Sequence, residues 1–167
     1  MPKMIIKTNP KLKEFRNRCL EILYKLQDST NIFKTTRETG IQMVIIEADI
    51  KNAAACQNHK YIDCGTIIIY DSWIDLPDSA LMFLIGHELT HILHLDYKSG
   101  WTMGWPPSSR KAEFRADRIS VLALRELGVV LRLEDLNLIF GKAAYRKTSF
   151  FDTHPSDFDR IEAIISL

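Results

Sequence analysis

The sequence predicts an α+β fold: one helix, then a small mixed sheet, then a run of helices. Three observations carry this. From Lys11 to Gln27 the apolar residues Leu12, Phe15, Cys19, Ile22, Leu23 and Leu26 recur at three and four positions, the period of one buried helical face. Two short runs, Ile41 to Glu47 (IQMVIIE) and Thr66 to Tyr70 (TIIIY), are rich in β-branched residues and bounded by polar or glycine positions, so both read as strands. After Leu76-Pro77-Asp78 comes an apolar stretch from Ala80 to about Leu95, long enough for a helix and apolar nearly all round, so the helix is expected to be buried.

The remaining elements follow from local signals. Asp28-Ser29-Thr30-Asn31 closes the first helix, and Asp78 is the expected N-cap of the buried one. Lys98 to Ser109 (KSGWTMGWPPSS) carries two glycines and two prolines and reads as a loop, its aromatic residues serving as an anchor or a lid. Ser108 or Ser109 is expected to cap a helix from Arg110 to about Leu127, with Gly128 ending it. Further helices are expected near Glu134 to Tyr145 and near Ser156 to Ile165. At 167 residues the chain suits a single domain, 1–167, with residues 1–30 as an N-terminal helix and 41–167 as a core.

Composition limits what such a domain does. With 22 Lys and Arg against 21 Asp and Glu, no global field favours nucleic acid or an anionic membrane. The basic start, Lys3 to Arg18, is read as a solvated helix face. Cys19, Cys56 and Cys64 are an odd number and far apart, which suits free thiols in a reducing compartment. With no apolar h-region at Met1 to Pro10 and no apolar run of about 18 residues, the expected location is the cytoplasm, with no transmembrane segment.

Within the buried helix, His87-Glu88-Leu89-Thr90-His91 is an HExxH motif. Residues four apart on a helix are separated by about 40° in azimuth and about 6 Å along the axis, so two imidazoles on adjacent turns reach one ion. Glu88, one residue beyond His87, is offset to address a water at the metal rather than to ligate it. Two histidines and a glutamate in an otherwise apolar helix would each cost a few kcal/mol of desolvation unless paired or metal-bound, about the scale expected for buried polar groups. A catalytic zinc needs a third protein ligand and an open fourth position. His94 and Asp96 are nearest in sequence, but on a continuing helix His94 lies about 10 Å along the axis from His87, too far to share an ion. Glu113 in Glu113-Phe114-Arg115-Ala116-Asp117 is the better candidate. Asp117, one turn on and on the same face, is placed to accept the free N–H of a ligating imidazole, most simply His87. The competing reading makes both acids solvent-facing partners of Arg110, Arg115 or Arg118.

These residues resemble the gluzincin metallopeptidases related to the CAAX prenyl-protein protease and the bacterial heat-shock protease HtpX. The resemblance spans Asn52-Ala53-Ala54-Ala55, the Thr66–Tyr70 strand, His87 to His91, Glu113 to Asp117, and His154-Pro155 with Arg160. It implies a zincin-like fold, with the sheet packed on the HExxH helix and a glutamate helix. It further implies that Asn52 and the backbone at Ala54 bind an extended substrate, that His154 polarises the scissile carbonyl or stabilises the oxyanion, and that Arg160 supports the site. The membrane-spanning helices of those relatives are not found here, so the likeness is to their catalytic core, as in the soluble minigluzincins. Thr90 stands where a glycine is frequent. The function expected is zinc-dependent hydrolysis of peptide or unfolded-protein substrates, with Glu88 as general base. The alternatives are a repressor-cleaving regulatory peptidase, and a latent or chaperone-like module that keeps the metal without turnover.

Overall fold

A computed structural model describes residues 9–47, 53–57, 65–96, 106–140 and 155–167. Helix α1 spans Pro10–Ser29, with the Asn9 side chain accepting from the Lys11 amide at its N-terminus. Its buried face includes Phe15, Cys19, Ile22, Leu23 and Leu26 from the expected stripe, with Leu12 only half-buried, while Lys11, Lys13 and Arg16 are exposed. Arg18 departs from the solvated-face reading. Its Nε donates to Asp78 Oδ1 at 2.8 Å, and Nη1 and Nη2 donate to the carbonyls of Ile74 and Leu76. That fork ties α1 to the segment that launches the next helix. Cys19 is a buried free thiol, pushed up to about 12 by burial.

A 3-10 helix, Lys34–Thr39, ends at Gly40, whose φ of 64° is the left-handed conformation that glycine adopts without steric cost. The sheet follows: β1 (Gln42–Ile46), β2 (Ala53–Gln57) and β3 (Gly65–Tyr70), in the order β1-β3-β2. β1 runs parallel to β3, with Gln42 opposite Thr66, and β2 runs antiparallel to it, with Ala54 opposite Ile68. The sheet is therefore mixed, and β3, with Ile67 and Ile69 fully buried, is its middle strand. β2 was not among the strands expected from composition; its sequence, AAACQ, lacks the β-branched residues that marked the other two.

Helix α2 (Asp78–Leu93) is the axis of the molecule, packed against α1, β2, β3 and the helices that follow, and every residue from Ala80 to Ile92 is buried. Asp78 is not its N-cap. Pro77 holds that position without a side-chain cap, and the Asp78 carboxylate turns outward to Arg18. Helix α3 begins earlier than expected, spanning Pro106–Glu126. Proline at a helix start surrenders only an amide that would have no intrahelical partner, so Pro106-Pro107 open the helix instead of ending a loop. Gly128, at φ 68°, closes it as anticipated. Helices α4 (Leu133–Phe140) and α5 (Asp157–Ile165, capped by Ser156) complete the described chain. The end expected for α4 near Tyr145, and the Trp101, Met103 and Trp105 loop, lie outside the described residues.

α2 and α3 form the most extensive contact between elements, and small residues bring them together. Ala112, Ala116, Ser120 and Ala123 recur along α3 at helical spacing, all buried. A Cβ on Gly86 would stand 2.6 Å from Ser120 Oγ, which itself donates to the Phe83 carbonyl at 2.8 Å. Gly86→Ala is therefore expected to wedge the two helices apart and to cost about 1–3 kcal/mol, as overpacking does. Urea unfolding should show a lowered midpoint at unchanged slope.

Candidate metal centre

The close crossing of α2 and α3 sets the geometry of three side chains. His87 and His91, one turn apart on α2, bring their Nε2 atoms to 3.0 Å. From α3, the Glu113 carboxylate places Oε2 3.3 Å from His87 Nε2 and Oε1 3.5 Å from His91 Nε2. One donor atom from each of the three lies within 4.8 Å of the others, and all three side chains are buried. They form a possible metal-binding triad.

The outer side of each imidazole is also engaged. His87 Nδ1 donates to Asp117 Oδ1 at 2.8 Å, and His91 Nδ1 donates to Asp96 Oδ2 at 2.9 Å. Ionised carboxylates only accept, so both Nδ1 atoms carry hydrogen, and in the neutral ring each Nε2 is then a lone pair. Two nitrogen lone pairs and a carboxylate oxygen facing one another across 3.0 to 3.5 Å repel unless a proton or a metal ion stands among them. The donor set, two imidazoles and one carboxylate, is one that can hold a divalent metal ion.

Two arginines stand behind the carboxylates. Arg160 from α5 donates from Nε to Asp117 Oδ2 at 2.8 Å and from Nη2 to Oδ1 at 2.7 Å, and its Nη1 is 3.5 Å from Glu113 Oε2. Phe140 lies under its guanidinium, 4.5 Å from ring centroid to Cζ, and meets Phe83 edge-on. Arg115 donates from Nη2 to Asp96 Oδ1 at 2.5 Å. Neither Glu113 nor Asp117 is solvent-facing: they are 5% and 2% exposed, which removes the reading of both as surface partners of neighbouring arginines.

The charges act on one another. Burial pulls the His91 imidazole down, but hydrogen bonds to Asp96 and Glu113 outweigh it and hold the pKa up at about 10. His87 is raised for the same kind of reason: burial lowers it, and Asp117 and Glu113 more than reverse the effect. Asp117 is held below the usual carboxylate range, the Arg160 charge and hydrogen bonds overcoming the upward push of burial. Glu88 moves the opposite way from Asp96 and Asp117. Burial pushes it up, and the neighbouring histidines only partly offset that.

Residues 97–167 match the model of peptidase family M48. The M48 match supports a metallopeptidase, and it takes in Glu113, Asp117 and Arg160 while His87, Glu88 and His91 precede it. The triad thus joins an HExxH helix outside the matched stretch to a glutamate helix within it. No curated protein and no solved structure matches the chain.

Among the other expected site residues, Asn52 and His154 lie outside the described residues, and Ala54 sits in β2, an outer strand of the sheet. Thr90 is buried and turns its hydroxyl back to the Gly86 carbonyl at 2.8 Å, so it fits where a glycine is frequent. His94 is the C-cap of α2, beyond its last turn. Arg160, which could have paired with Asp157 or Asp159, bonds to Asp117. Two residues of the centre had no such role assigned from sequence: Asp96, weighed only as a ligand, and Arg115, weighed only as a surface cation. An acid five residues past the second histidine, just beyond a helix end, was the available signal.

Proposed function

We propose that the chain is a zinc endopeptidase that hydrolyses peptide bonds in extended or unfolded polypeptides. The observation that carries this is the convergence of His87 Nε2, His91 Nε2 and a Glu113 oxygen, with both Nδ1 hydrogens already committed to carboxylates. His87, His91 and Glu113 are the proposed ligands. A bound zinc supplies Lewis acidity, polarising a carbonyl and making water acidic enough to yield a proton near neutral pH.

The protein's own part is to hold the donors and move the proton. Asp117, clamped by Arg160, fixes the ring of His87 and its tautomer. Glu88, buried beside both histidines, takes the proton from water on its carboxylate and returns it to the leaving amine. Burial favours its protonated form and the positive charge of the site favours the ionised one, which suits a group that must both accept and release a proton. β2, with no strand beyond it among the described residues, supports main-chain pairing with an extended substrate at Ala54 and the adjoining Asn52. We assign His154 to the scissile carbonyl or oxyanion by resemblance.

The packing of α1 on α2 and β1 supports reading 1–167 as one metallopeptidase domain. No described helix is long and apolar enough to cross a membrane. With Cys19 a buried free thiol, we place the protein in the cytoplasm.

The test is removal and return of the metal. Purified protein should carry one zinc per chain and hydrolyse casein. Chelation should abolish hydrolysis and lower the melting temperature, because an ion held only by the folded chain stabilises it, and zinc should restore both. Protein that neither contains nor takes up zinc would refute the assignment.

A further inference from the structure

We infer that Asp96, braced by Arg115, is a positioning residue for His91, making the second imidazole as firmly held as the first. This rests on the zinc-site reading above and goes beyond it by giving His91 its own carboxylate and arginine. On one side of the triad the order is His87, Asp117, Arg160; on the other it is His91, Asp96, Arg115.

The backbone is built to deliver Asp96. α2 ends at Leu93, and Leu95 takes a φ of 56°, the only positive φ at a non-glycine residue among the described residues. A left-handed leucine is uncommon, and it persists where the surroundings over-determine it. Here it reverses the chain just past the helix end and returns Asp96 to His91, five residues back, with only 8% of Asp96 exposed. Arg115 supplies a second restraint. It sits two residues from Glu113 on α3, so its bond to Asp96 Oδ1 latches the segment after α2 to the helix that carries the third ligand. Its Nε is buried with no hydrogen-bond partner among the described residues, so the guanidinium is set by Asp96 at the expense of its own satisfaction.

A carboxylate on the Nδ1–H of a ligating imidazole fixes the ring and raises the basicity of the opposite nitrogen, and losing it weakens metal binding by about ten- to a hundredfold. The experiment measures zinc affinity of the full chain by competition with a chromophoric chelator, alongside the visible absorption of the cobalt-loaded protein. Asp96→Asn should bind zinc about ten- to a hundredfold more weakly and shift the cobalt bands, with far-ultraviolet dichroism retained. A purely structural role would leave the cobalt bands of the folded protein where they are.

Wild-type affinity and unshifted bands in folded Asp96→Asn would overturn the role of Asp96. Should that variant not fold, Arg115→Gln against Arg115→Lys carries the comparison: weakened binding in the first, recovered in the second, supports the brace, and any other pattern overturns it. A wild type that binds no zinc removes the metal site itself, whereas a zinc-binding wild type with an indifferent Asp96 removes only the positioning role.

Discussion

Replacing Glu88 with glutamine is expected to reduce casein hydrolysis by about 10²–10⁴-fold, the span that a positioned general base contributes, while zinc stays at one per chain. The substitution keeps the shape of the side chain and removes only its capacity to take a proton. It should not harm the fold, because burial already penalises the charged form of Glu88. Zinc content by atomic absorption and hydrolysis by release of acid-soluble peptides check the two halves independently. Loss of zinc together with activity would mean that Glu88 holds the metal rather than the proton. Equal, zinc-replete inertness of wild type and variant would favour the latent or chaperone-like reading.

The second large effect concerns stability. Asp117→Ala leaves the Arg160 guanidinium and the His87 Nδ1–H buried without their shared acceptor. Breaking a buried pair by deleting one partner costs about 3–5 kcal/mol, so the metal-free variant is expected to lose that much in urea unfolding at neutral pH. The pH dependence has a definite sign. The folded-state pKa of Asp117 lies below its ordinary value, so its contribution is fully present above the unfolded pKa of about 3.9 and fades as pH falls through the folded value. The gap between wild type and Asp117→Ala should therefore be wide at pH 7 and narrow in strong acid. A gap that widened on acidification would show that Asp117 is not the charged anchor of this network.

What could be read from sequence follows from how local each cause is. The α1 stripe, the β-branched strands and the spacing of His87 to His91 are set by helix and strand periods, and they stand in the structure where those periods put them. β2 is foreshadowed only by the family resemblance of Asn52 to Ala55, because three alanines carry no strand signal of their own; its place comes from pairing with Ile67 to Ile69. Pro106 and Pro107 carry a loop signal because proline is excluded from a helix interior, yet a first turn accepts it. Asp78 had a cap's chemistry, but Arg18, sixty positions away in sequence, drew its carboxylate aside. The Leu95 reversal that brings Asp96 home has no residue-type signature at all, since leucine is a poor choice for a positive φ. Distant partners, rather than weak propensities, account for most of what the sequence withheld.

The clustering of charged groups around the triad bears on what competes for it. The carboxylates of Asp96, Glu113 and Asp117 stand there with the guanidiniums of Arg115 and Arg160. Three carboxylates against two guanidiniums leave one negative charge to be matched in a place where uncompensated charge is expensive. A proton on the facing imidazoles answers it, as the raised pKa of both rings reflects, and a metal ion between them would answer it too. The two cations are therefore rivals for one place, and uptake of a metal by the triad is coupled to release of a proton.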